Sequence, residues 1–186
     1  MNTQAYISQI LNELSETVGH ICNDSAEKLA DAILAAETIF VAGAGRSGLA
    51  MKSFAMRLMH MGFDTYVVGE TVTPSITDKD VLLIGSGSGS TSSLVVSANK
   101  ADAIGATICL ITIDENAPIA QVAEVVLTIA APSPKVNKDL GFRSVQPMGS
   151  LFEQSLLLTL EAIVLLLMRK TGKTTELMFT RHANLE

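Results

Sequence analysis

The chain has 186 residues, with 13 Lys+Arg against 19 Asp+Glu and a formal net charge of −6. That acidic balance, with only 4% aromatics, argues against a nucleic-acid binder, which needs a basic footprint. Hydrophobic residues at 48% against 17% charged exclude disorder. At roughly 150 residues per domain the length predicts a single domain, 1–186. A mean hydropathy of +0.37 is high for such a domain. Either much of the chain is deep core, or apolar surface is covered in a homo-oligomer.

In chain order, Ile7, Ile10, Leu11, Leu14 and Val18 follow helical spacing. A second helix is expected over Ser25–Ala36, with Asp24 as N-cap. Together they form an N-terminal helical segment over about residues 1–36. Five short apolar bursts follow, at 39–42, 66–68, 81–84, 108–113 and 125–129. Continuous apolar runs of this length suit strands buried on both faces. Helical stretches are expected between them over Leu49–Met61, Ser92–Ile104 and Ile119–Ala123. Strand–helix alternation predicts an α/β fold with a mostly parallel sheet. The stretch 131–147 has no periodicity, and a loop of that length inside a compact domain is often functional. Its Lys135, Lys138 and Arg143 are candidates to face an anion, with a solvated surface loop as the alternative. C-terminal helices are expected over about 148–186, beginning with a long apolar helix, Met148–Arg169. Its apolar centre, Leu156–Met168, is too short for a membrane span and carries Glu161. Gly172-Lys173-Thr174 resembles the end of a Walker A loop, but it follows a helix and reads as a helix C-cap.

Cys22 and Cys109 lie far apart without a CxxC pair, so neither zinc nor redox chemistry is expected. Met1-Asn2-Thr3-Gln4 has no secretory pattern, and a reducing cytoplasm fits.

Chemistry concentrates after the first and third strands. Gly43-Ala44-Gly45-Arg46-Ser47-Gly48 matches GxGxxG between a strand and a helix. Such a loop lets backbone N–H groups approach a phosphate at a helix N-terminus. With Glu70 near the end of the second strand, a nicotinamide dinucleotide is one reading, and a tight structural turn is another. The loop Gly85-Ser86-Gly87-Ser88-Gly89-Ser90-Thr91 shifts the balance. A dinucleotide needs one glycine loop and has little use for a cluster of hydroxyls. A terminal phosphate monoester has three oxygens to saturate and would use both loops.

These residues resemble a known family. Ser86-x-Ser88-Gly89-x-Thr91, with Gly45-x-Ser47 before it, resembles the phosphate-binding pattern of sugar isomerase (SIS) domains. The first glycine loop, Lys52–Leu58 through Gly62, Gln146–Glu153 and the C-terminal His182–Glu186 are similar to the 6-phospho-3-hexuloisomerases, so the likeness spans nearly the whole chain. Ser90 stands where many SIS proteins carry Glu. The resemblance implies a three-layer α/β/α fold on a five-stranded parallel sheet, a tetramer with shared active sites, and no metal or nucleotide cofactor. It implies a reaction interconverting 3-hexulose 6-phosphate and fructose 6-phosphate, downstream of formaldehyde fixation in the ribulose monophosphate pathway.

A carbonyl shift between C2 and C3 passes through an enediol. It needs one base and donors to the developing oxyanion. The resemblance places the catalytic glutamate at Glu153, in the first turn of an apolar helix, where a carboxylate could otherwise serve the helix dipole. His60, at a helix end, is the first choice of assisting histidine because related isomerases take one from a neighbouring subunit. His182 is the second, while His20 has no supporting context. The phosphate is assigned to Ser47, Ser86, Gly87, Ser88, Gly89 and Thr91, and further substrate contacts to Gly45 and Arg46. Met51, Met56, Met59 and Met61 read as core packing. Other readings are an isomerase for another sugar phosphate such as arabinose 5-phosphate, a NAD-dependent enzyme, and a non-catalytic sugar-phosphate sensor.

Overall fold

The structure, a computed structural model, describes residues 2–136 and 139–185. Two helices, α1 (Thr3–Gly19) and α2 (Asn23–Ala35), precede β1 (Ile39–Gly43). Then follow α3 (Gly45–His60), β2 (Thr65–Val67), β3 (Val81–Gly85), α4 (Ser92–Ile104) and β4 (Thr107–Thr112). A 3₁₀ turn (Pro118–Gln121), β5 (Val125–Thr128), α5 (Ser150–Thr171) and α6 (Thr175–Phe179) complete the order.

The strands pair in parallel in the order β2-β1-β3-β4-β5. Successive side chains leave a strand on opposite faces, and the apolar bursts feed both. Ile39, Val41, Val81, Leu83, Cys109 and Ile111 pack with α2, α3 and α5. Phe40, Ala42, Leu82, Ile84, Ile108 and Leu110 pack with α4 and the 3₁₀ turn. The result is the expected three-layer α/β/α arrangement. Cys109 is fully buried, and burial pushes its thiol up to about 12, so it acts as a small core residue.

Several boundaries differ from those expected. Cys22, not Asp24, occupies the N-cap of α2; Asp24 lies in its first turn and pairs with Lys28 at 2.7 Å. Helix α3 begins at Gly45, four residues before Leu49, because the glycines of its first turn hide its periodicity. The expected helix at Ile119–Ala123 is a four-residue 3₁₀ turn opened by Pro118. Of the four methionines expected in the core, Met51 and Met61 are buried, but Met56 and Met59 are 56% and 40% exposed. Gly172 caps α5 in the left-handed region at φ 69°. At 22 residues, α5 has the length and composition of a membrane span, contrary to expectation. Half of its most apolar stretch is buried, packed against α1, α2 and α3.

The sheet order reverses direction between β1 and β3. In open α/β sheets the crevice forms outside the carboxyl ends of the strands at that point. Both glycine loops leave their strands there.

Candidate active site

A cleft of about 500 Å³ opens at the reversal point, within the range of small-molecule sites. Three helix N-termini converge on it: those of α3, α4 and α5. Their caps, Ala44, Thr91 and Gly149, make no side-chain cap hydrogen bond. The N–H groups that open α3 and α4 therefore keep their donor capacity, whereas the Ser150 N–H that opens α5 is given to the Pro147 carbonyl at 3.1 Å; the three dipoles present positive ends to one space. That arrangement is suited to an anion, with Arg46 and Lys135 also on the cleft wall.

The first loop's glycines serve mainly to bring backbone close. A Cβ on Gly48 would meet the Gly43 carbonyl oxygen at 2.7 Å, so the strand end and the helix start touch directly. In the second loop the hydroxyls are arranged unequally. Ser86 is buried, and its Oγ accepts from the Gly89 N–H at 3.2 Å, which leaves the hydroxyl proton free to donate. Ser88 Oγ accepts only a long contact from the Ser90 N–H, 3.4 Å. Ser47, Ser86, Gly87, Ser88 and Thr91 line the cleft with Gly45 and Arg46. Gly89 does not line it: its N–H donates to Ser86, its carbonyl accepts from Ile119, and a Cβ there would strike Ala117 at 2.4 Å.

Glu153 enters from the third side, in the first turn of α5. The Arg46 Nε–H of α3 donates to its Oε2, so the two candidates form one ion pair rather than separate features. Arg46 is 65% exposed and Glu153 21%, so the carboxylate is the sheltered partner. Lys135 lies on the cleft wall, supplied by the long loop; Arg143 is exposed away from it, and Lys138 lies outside the described residues.

Residues 32–169 match the SIS domain family. The chain belongs to that family. It is 48% identical over 186 residues to the 3-hexulose-6-phosphate isomerase of Bacillus subtilis (strain 168), covering 100% of both chains. It is 41% identical over 181 residues to the Mycobacterium gastri 3-hexulose-6-phosphate isomerase, covering 97% of this chain and 89% of that one. Among solved structures it is similar to a Methanococcus jannaschii hypothetical protein whose structure infers a molecular function of 3-hexulose-6-phosphate isomerase. That likeness has 31% identity and a TM-score of 0.81, over 98% of this chain and 99% of the other.

In this SIS domain the histidines stand apart from the cleft. His60 ends α3, roughly 22 Å from Gly45 at 1.5 Å per residue. Its ring is buried and stacks on His182 with centroids 5.5 Å apart, and His182 stacks on Phe179 at 5.7 Å. The C-terminal segment is thus docked on the end of α3, where Lys173 Nζ donates to the Met61 carbonyl and sits 4.5 Å from the Phe63 ring centroid. Glu70 pairs with Lys52 at 3.4 Å, and Glu161 faces Arg57 at 3.9 Å, both outside the cleft.

Burial, then the Arg57 guanidinium and His182, hold His60 below the usual histidine value. A histidine that resists protonation when folded favours the unfolded state once the unfolded chain takes up protons. The contribution of His60 is full above about pH 6.5 and is lost as pH falls through the lower folded value. The melting temperature should drop between about pH 7 and pH 5, and His60→Phe should flatten that slope. An unchanged slope in the variant would show that other groups govern it.

The SIS domain also contains features with no local sequence signal. Met148 adopts a left-handed φ of 57° on the cleft wall, the single non-glycine positive φ among the described residues. Phe152 and Ile113 form the apolar floor beside Gly87, whose Cβ would meet Phe152 at 3.1 Å. Met148 and Phe152 fall in the Gln146–Glu153 segment of the family resemblance, and Ile113 in the 108–113 apolar burst, but neither signal places them at a cleft.

Proposed function

We propose that this chain is a sugar-phosphate isomerase interconverting 3-hexulose 6-phosphate and fructose 6-phosphate. The observation that carries the reading is that Glu153 and both serine–glycine loops line one cleft. The relatives named 3-hexulose-6-phosphate isomerase, similar over their full or nearly full length, support the substrate.

The phosphate sits against the N-termini of α3 and α4, with the Ser47, Ser86, Ser88 and Thr91 hydroxyls donating to its oxygens. The sugar then extends towards α5. Glu153 takes the proton from C2 of the 3-ketose, and electrons move to give the 2,3-enediolate. The same carboxyl returns the proton to C3, while the hydroxyl proton passes from O2 to O3 and the carbonyl settles at C2. Arg46 has further N–H donors beside the one given to Glu153, and these are available to the developing oxyanion. No hydride leaves the substrate, so the residues supply proton transfer and charge stabilisation alone.

The assembly is a homo-oligomer, a tetramer by family resemblance. Exposed apolar side chains on three helices support a second copy as the partner. Leu11 of α1 is 59% exposed, Leu49 and Met56 of α3 are 67% and 56%, and Leu165 of α5 is 67%. On this reading the His60–His182 pair, too far from its own cleft, serves the cleft of another copy. Mixed oligomers of His60→Ala and Glu153→Gln chains should then regain activity that neither has alone; no recovery in verified mixed oligomers would overturn sharing.

The function is tested by a coupled assay with 3-hexulose 6-phosphate, arabinose 5-phosphate and other sugar phosphates, following ketose formation. The expected result is turnover of the 3-hexulose ester well above the rest. Preference for an aldose phosphate would reassign the substrate, and tight binding without turnover would favour a sensor.

A further inference from the structure

One polar network links the N-terminal helix to the active-site wall. Glu13 of α1 accepts from the Ser144 hydroxyl at 2.7 Å, the Val145 N–H at 2.7 Å and the Gln146 side-chain amide at 3.0 Å. Gln146 is buried, and its Oε1 accepts from the Gln154 side-chain amide at 2.5 Å. Gln154 is on α5, next to Glu153. The chain between the two glutamines passes through Pro147, the left-handed Met148 and Gly149, which line the cleft.

The direction of this network follows from the charge at its origin. An ionised carboxylate only accepts, so it requires the NH₂ end of Gln146 to face it. That leaves the Gln146 oxygen turned to α5, which in turn fixes the NH₂ end of Gln154 towards it. Burial works against ionisation of Glu13, but hydrogen bonds from Ser144, Val145 and Gln146 outweigh it and hold the carboxyl below its usual value. Nothing in the reaction uses Glu13, and 131 to 133 residues separate it from its partners.

We propose that Glu13 is a positioning residue: through Gln146 and Gln154 its carboxylate holds the 144–154 wall so that Glu153 meets the substrate carbons in register. The proposal rests on the reading of Glu153 as the base. A misplacement of about 1 Å at a reacting group can cost about 10²-fold in rate, so a partial loosening falls short of that.

The test is Glu13→Gln in the full-length protein. Its amide can still accept from Val145 but now sets a donor against the Gln146 donor. The expected result is a fall of about tenfold in kcat, with KM nearly unchanged because the phosphate loops are not involved. The exchanged pair Glu13→Gln with Gln146→Glu reverses the link between positions 13 and 146 and keeps the others: the new carboxylate accepts from the amide at position 13 and from Gln154, and the amide oxygen at position 13 still accepts from Val145. It should restore most of kcat. A second readout does not depend on turnover. The methyl resonance of Met148, assigned with Met148→Leu, should shift and broaden in Glu13→Gln and return in the exchanged pair. Unaltered kcat and an unaltered Met148 signal in Glu13→Gln would overturn the proposal, as would an exchanged pair that folds but recovers neither. A wild-type protein that turns over no sugar phosphate would instead overturn the functional reading, and the Met148 signal would then decide the role of Glu13 by itself.

Discussion

Glu153→Gln should lower kcat by about 10²–10⁴-fold and leave KM nearly unchanged, the loss typical of a general base. The amide keeps the shape of the carboxylate and can still accept from Arg46, so the cleft wall stays in place, but it cannot take a proton from carbon. On the proposed reading the phosphate is held by α3 and α4, which the substitution does not touch. Exchange of the substrate's carbon-bound proton with deuterated solvent should collapse in parallel, since the same step controls both. Arg46 sharpens the test. It is ion-paired to Glu153, so an Arg46 variant disturbs the base and the oxyanion together and cannot tell them apart. A Glu153→Gln enzyme with wild-type turnover would remove the carboxylate from the mechanism and turn attention to His60 and His182.

Ser88→Ala should raise KM by about 10–100-fold with little change in melting temperature. A hydrogen bond to a charged group contributes roughly 1.5–3 kcal/mol, which sets that range. Ser88 is a clean test because among the described residues its Oγ has only the 3.4 Å contact from Ser90. Ser86 is less clean: it is buried and receives the Gly89 N–H, so its alanine variant disturbs the loop as well as the ligand. Ser47→Ala and Thr91→Ala should raise KM in the same direction. Affinity unchanged across all four variants would remove the phosphate from this end of the cleft.

The sheet and the two glycine loops were legible because each rests on a local signal. Five apolar bursts with helical spacers can hardly be read as anything but parallel strands, and glycines at a strand end mark a close backbone approach. The start of α3 was not legible, since Gly45 and Gly48 weaken the helical pattern where the helix begins. Nor was the 3₁₀ turn after β4, where Pro118 opens a segment too short for any period. At the site, residue types were readable but pairings were not. Arg46 and Glu153 lie 107 positions apart, and only the crossing of α3 and α5 unites them. The stacking of His182 on His60 and the links from Glu13 to the 144–146 segment are likewise products of tertiary packing. Gly89 carries the opposite lesson. It matches the phosphate-binding pattern, yet its N–H is spent inside the loop and its lack of a side chain makes room for Ala117.

On the proposed reading, the uncapped starts of α3 and α4 also decide what acid can do to substrate capture. Backbone amides neither gain nor lose protons near neutrality, so an anion seated on them rests in a cradle that acid leaves untouched. The bound ester does titrate, with a second ionisation near about pH 6. Acidification therefore weakens capture through the ligand, as the dianion becomes a monoanion, while the receptor stays as it was. Acid thus acts on substrate capture through the ester rather than through the backbone cradle that receives it.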